Sequence, residues 1–142
     1  MAIDTMPIDR SKWPRGPWDD EPDRAQWLDD ATGLHCLAVR QPSMGHWCGY
    51  VGLPPGHPWR EGIPYEHEPE VHGGITYGPS PCDGNICHVV DGEDDVRWIG
   101  FDCAHYRDRS PAMPHPAETY RTLDYVRNEC ASLAAQVARA GA

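Results

Sequence analysis

Lysine is almost missing from this chain of 142 residues: Lys12 stands alone, and every other cation is an arginine. With 22 acidic against 12 basic residues, the formal net charge is −10. That balance works against phosphate-tracking nucleic-acid binding and against anionic membranes, both of which need a basic stripe. Solubility is its plain consequence, and a DNA-mimicking acidic face is the functional alternative. No apolar run approaches the roughly 20 residues of a membrane span. The first ten residues carry acids and prolines where a secretory leader needs a basic and then an apolar region. A cytoplasmic protein is expected, with Cys36, Cys48, Cys82, Cys87, Cys103 and Cys130 as thiols. Three catalytic signatures are also missing: no Gly-x-Ser-x-Gly elbow, no P-loop and no His-Glu-x-x-His helix.

What the chain has in excess is proline, 15 residues, and glycine, 14, which together predict many turns around a modest set of regular elements. Six tryptophans and six tyrosines supply the apolar area for a core. Residues 1–20 read as an irregular arm, whose Trp13 and Trp18 need cover from the domain or from a partner. Residues 21–142 read as one globular domain. Pro22 with Ala25 and Leu28 predicts a short helix over 21–30. Strands are predicted at Leu34–Arg40, His46–Gly52, Val71–Tyr77, Ile86–Val90 and Val96–Cys103. Turn chemistry lies at 41–45 and 91–95, and a long proline-rich loop spans 53–70. Strand follows strand without intervening helices, so the sheet is expected to be mostly antiparallel. From Ala117 to Ala140 there is no proline or glycine, and Leu123, Val126, Cys130, Leu133 and Val137 fall on one helical stripe. The fold class is therefore α+β, about five strands with a long C-terminal helix packed on one face.

Eight histidines are many for this length. His57, His72, Asp102 and His105 sit at strand ends or in loops, where chemistry is usually presented. Three imidazoles, or two and a carboxylate, form the ligand set of a catalytic zinc, so His57, His72 and His105 are the candidate metal ligands. His72, Asp102 and His105 are the candidate catalytic groups. Gly73 and Gly74 would let a ligand approach the backbone, with Tyr77 as a further ligand contact. The structural alternative is that His72 ties down a loop and Asp102 caps a turn. Cys103 is either a thiolate nucleophile partnered by His105 or a core residue, and core packing is favoured. His46 and Cys48 share one strand face. Cys82 and Cys87 are a weak pair for structural zinc. Glu66, Glu68 and Glu70 read as a solvated loop.

Several segments resemble a family of small proteins found in bacteriophage, prophage and actinobacterial genomes. They are Gly49–Gly52 with Gly56-His57-Pro58, Val71–Tyr77, Trp98–His105 with Asp108, and Tyr125–Cys130 with Leu133-Ala134. The resemblance spans roughly residues 34–137. It implies a phage-like origin and a place in a host cytoplasm, draws attention to His57, His72, Asp102 and His105, and implies no reaction. The expected function is a small hydrolase, zinc-dependent if metal is bound, acting on a polar small molecule or nucleotide. The alternative is a non-catalytic phage protein that sequesters a small ligand or blocks a host protein.

Overall fold

The computed structural model describes residues 7–88 and 95–142, together with the backbone of Ala2–Ile3. Its main sheet has six strands in the order β1-β2-β3-β4-β6-β5, all antiparallel. These are β1 (Ala2–Ile3), β2 (Arg24–Leu28), β3 (His35–Arg40), β4 (Trp47–Leu53), β5 (Tyr77–Ser80) and β6 (Arg97–Asp102). Two-residue strands β7 (Asp108–Arg109) and β8 (Thr119–Tyr120) pair in parallel beside it. The helix α1 (Leu123–Ala140) covers one face. The α+β expectation holds.

The sheet is buried on both faces by alternation. Cys36, Ala38, Trp47, Val51, Ile99 and Phe101 point toward α1, while Leu37, Val39, Tyr50 and Trp98 form a second apolar layer. All five residues of the helical stripe are buried, with Ala134 added. Gly49 lies under this contact: a Cβ there would run into the Phe101 ring and crowd the Cys130 sulfur, so its absence lets helix and sheet meet.

Several local expectations are corrected. Residues 24–28 are a strand, because Ala25 and Trp27 both face the core with period two and pair with β3. Val71–Thr76 is a turn: Gly73 and Gly74 have φ of +68° and +79°, and Gly74 N–H donates to Val71 C=O at 2.9 Å. The strand starts at Tyr77, just after Thr76 N–H donates to Gly100 C=O at 2.9 Å. The helix begins at Leu123 rather than near 117, because Thr119–Tyr120 pairs with β7 and Thr122 caps the first turn, its Oγ1 accepting from Tyr125 N–H at 3.1 Å. Of the strand expected at 86–90, Ile86 makes an isolated bridge to Asp83; residues 89–90 and most of the turn at 91–95 lie outside the described residues. The same Asp83–Ile86 turn brings Cys82 and Cys87 together in a disulfide, so the described thiols are Cys36, Cys48, Cys103 and Cys130 and not all six cysteines.

The arm is anchored. Trp18 is 3% exposed and meets Tyr120 edge-on, and Trp13 packs half-buried against the same core. Glu21 joins arm to helix, accepting from Leu123 N–H at 2.6 Å and from the Tyr120 hydroxyl. Among the described residues no helix is long and apolar enough to cross a membrane.

Leu133 is fully buried between α1 and the sheet. Leu133→Ala should lower the unfolding free energy by roughly 2–5 kcal/mol in urea titrations. A loss below about 0.5 kcal/mol would mean that the helix is not docked as described.

Candidate functional site

Three chain segments meet where β6 ends and α1 begins. The Val71–Gly74 turn brings His72. The turn after β6 brings His105 and Asp108, closed by Asp108 N–H donating to His105 C=O at 2.9 Å. The start of the helix brings Tyr125, and just before it lies Arg121. The His72 and His105 rings lie 5.9 Å apart, centroid to centroid, nearly edge to face.

His72 is held on both ring nitrogens. Nε2 lies 2.7 Å from Asp108 Oδ2, and Nδ1 lies 2.7 Å from the Tyr125 hydroxyl. A carboxylate only accepts, so Nε2 carries the proton in the neutral ring and Nδ1 accepts from the phenol. The backbone of His72 is fixed as well, its N–H donating to Glu129 Oε1 at 2.8 Å. Asp108 has a fully buried side chain. Oδ2 also accepts from His105 N–H at 3.0 Å, and Oδ1 accepts from Arg121 Nε at 2.9 Å. Burial pushes its carboxyl up, but the bonds from His72, Arg121 and His105 N–H outweigh burial and hold it below the usual carboxylate range. For Tyr125, burial leads and the nearby Glu129 adds to it, raising the phenol above its ordinary value despite Arg121, whose guanidinium lies 5.1 Å over the ring.

Asp102 lies at the end of β6. Its Oδ1 accepts from Ala104 N–H at 3.1 Å and its Oδ2 from the Thr76 hydroxyl at 3.0 Å. His105 Nε2 is 3.1 Å from Asp102 Oδ1 but out of line for a hydrogen bond, so this buried nitrogen has no aligned partner among the described residues. Gly73 makes the approach possible: a Cβ on it would collide with the His105 imidazole, and its positive φ suits glycine. His46, at the mouth of β4, is 8% exposed and its Nδ1 is likewise unpartnered among the described residues. Burial lowers its pKa against the opposing pull of Asp102 and Asp108.

Thus His72, Asp102, His105 and Gly73 come together, and His57 does not join them. Its Nδ1 accepts from Trp59 N–H at 3.0 Å and its Nε2 faces Val137 C=O at 2.8 Å. Val137 lies twelve residues along the helix from Tyr125, about 18 Å at 1.5 Å per residue. Both ring nitrogens of His57 are spent on backbone, and the proline loop pins it over the far end of α1. The expected zinc set of His57, His72 and His105 is therefore not assembled. Among the described residues no group of three or more His, Cys, Asp or Glu side chains is placed to hold a metal ion. Gly74 opens to space, whereas Tyr77 packs edge-on against Tyr50 in the second apolar layer. Cys103 is a core residue, its thiol pushed up chiefly by burial, and burial also pushes Cys48 up to about 12.

Asp108 and Tyr125 lie in the segments that carry the resemblance but are not among the site residues expected from the sequence, and Arg121 stands in neither group. Tyr125 and Glu129, four apart, sit on a flank of the helix beside the buried stripe, and that spacing was the available signal.

Because the Asp108 pKa is depressed on folding, its contribution to stability is present above the unfolded carboxylate value of about 3.9 and is lost as pH falls through the lower folded value. Asp108→Asn should therefore be less stable than the parent at neutral pH, and the gap should narrow on acidification below about pH 4. A gap that is constant with pH in denaturation experiments would contradict the bonding assigned to this carboxylate.

No protein-family model, no curated protein and no solved structure matches this chain.

Proposed function

We propose that the His72–His105 face is an acid–base centre of hydrolytic type, acting on a polar small molecule. One observation carries the reading: His72 is clamped at 2.7 Å on both sides, between a phenol and a buried carboxylate. At His57 both ring nitrogens meet backbone groups, which cannot carry a proton onward, whereas at His72 both meet ionisable side chains. Two such bonds in series, with the carboxylate neutralised by Arg121, form a proton relay.

In this mechanism Tyr125 Oη takes a proton from the attacking water while handing its own to His72 Nδ1. The imidazolium that results is stabilised by Asp108 at Nε2. For the second transfer His105 enters as the imidazolium, Nε2–H turned toward the Asp102 carboxylate; it gives its Nδ1 proton to the departing group and is left neutral. One ring gains a proton and the other loses one, and exchange between them through solvent restores the resting state. Zinc enters no step. A binding protein that blocks a host partner through its arm would need exposed tryptophans there; Trp18 is buried and Trp13 half-buried.

The test is turnover of p-nitrophenyl acetate, p-nitrophenyl phosphate and bis-p-nitrophenyl phosphate. Tyr125→Phe keeps the ring and removes only the hydroxyl. It should slow turnover by about 10²–10⁴-fold while costing about 1 kcal/mol of stability. His72→Gln should be at least as slow. Parental turnover equal to that of Tyr125→Phe, or to buffer, would refute the relay.

A further inference from the structure

The turn that carries His105 and Asp108 has two residues at its tip, Tyr106 and Arg107, which the relay does not use. Arg107 has φ of 74°, and no other described non-glycine residue has a positive φ. A left-handed arginine is a standing cost to the fold, and glycine would be the cheaper choice there. Strain of this kind tends to persist where function requires it. The Arg107 guanidinium makes no hydrogen bond or ion pair among the described residues, in a chain of net charge −10; it lies 5.4 Å over the Tyr106 ring. Tyr106 itself is 89% exposed.

These two residues open onto a cavity of about 520 Å³ that is also lined by His115, Ala117 and Glu118. That volume falls within the range of small-molecule sites, about 300–1,000 Å³. The opposite wall is built. Arg109 donates to the carbonyls of His115 and Pro116, both at 3.1 Å, and Thr119 N–H donates to Arg107 C=O at 2.7 Å, joining the two walls. His115 Nδ1 accepts from Ala117 N–H at 3.1 Å, which fixes the ring proton of the neutral form on Nε2. The cavity therefore offers a fixed cation, an imidazole N–H and an open aromatic face, with the Glu118 carboxylate at its edge.

We infer that this cavity is the recognition subsite for an aromatic phosphate monoester, of the size of a nucleoside monophosphate. The phosphate is taken by Arg107 and His115, and the ring stacks on Tyr106. The link to chemistry rests on the relay reading: the tip of the turn holds the ligand while the two ends of the same turn supply His105 and Asp108.

The test uses phenylphosphonate, whose C–P bond does not hydrolyse, so binding is read without turnover and stands or falls separately from the relay. In ¹H–¹⁵N NMR titrations of the full chain, saturable shifts are expected at Tyr106, Arg107, His115 and Glu118. Arg107→Gly should weaken binding at least tenfold while leaving the melting temperature equal or higher, since glycine accepts the left-handed backbone. Methylphosphonate should bind at least tenfold more weakly than phenylphosphonate. Unchanged affinity in Arg107→Gly, or shifts confined to other residues, would overturn the subsite. Equal affinity for the two phosphonates would overturn its aromatic half.

Discussion

The carboxylate of Asp108 is bonded by three segments that are separate in sequence. It receives His72 from the glycine turn, His105 N–H from its own turn and Arg121 from the approach to the helix. A buried charge is tolerated only when its lone pairs are filled, and here each bond also positions a piece of the site. Without His72 the glycine turn would lose its fastening to the sheet end. Without Arg121 the carboxylate would be an uncompensated charge in a dry setting. The same group therefore sets where the His72 ring points, which of its nitrogens bears the proton, and how the turn carrying Tyr106 and Arg107 is held.

Sequence patterning exposed the frame well where one physical signal dominated. The helical stripe from Leu123 to Val137 follows from periodicity, and the β3–β4 hairpin from two strand patterns with turn chemistry between them; the pairing of β4 with β6 does not. It failed where tertiary pairing overrode local cues: Ala25 and Leu28 suggested a helix, yet the period-two pair Ala25 and Trp27 decided for a strand. It failed again at Val71–Tyr77, where apolar and β-branched residues outweighed two adjacent glycines that bend the chain. For the site, residue type and loop placement found His72, Asp102 and His105. They could not tell His57, equally histidine and equally in a loop, from the others, because only the fold reveals that Trp59 and Val137 absorb its nitrogens. Tyr125 was given no role because a helix flank gives no sign of what it faces, and Arg121 because it lies in the connection just before the helix, where no pattern fixes its direction.

Stability and chemistry pull in different directions across this region. The sheet and helix are tightly packed and alternate cleanly, whereas the turn from His105 to Asp108 carries a left-handed arginine, an almost fully exposed tyrosine and an imidazole nitrogen without an aligned partner. Proteins concentrate such violations at working sites and compensate for them elsewhere. Here the compensation is close by: Glu21 fastens the arm to the helix start, and Asp108 fastens the turn to both.

The proposed role of His72, taking the Tyr125 proton on Nδ1 while Asp108 holds its Nε2–H, is tested most directly by the tautomer of that ring. Long-range ¹H–¹⁵N correlation NMR at neutral pH should show His72 as the Nε2–H tautomer. Its Nε2 proton should be protected from solvent exchange, and its Nδ1 shifted as an acceptor of the Tyr125 hydroxyl. A ring found as the Nδ1–H tautomer, or averaged between the two forms like a free imidazole in water, would contradict the account.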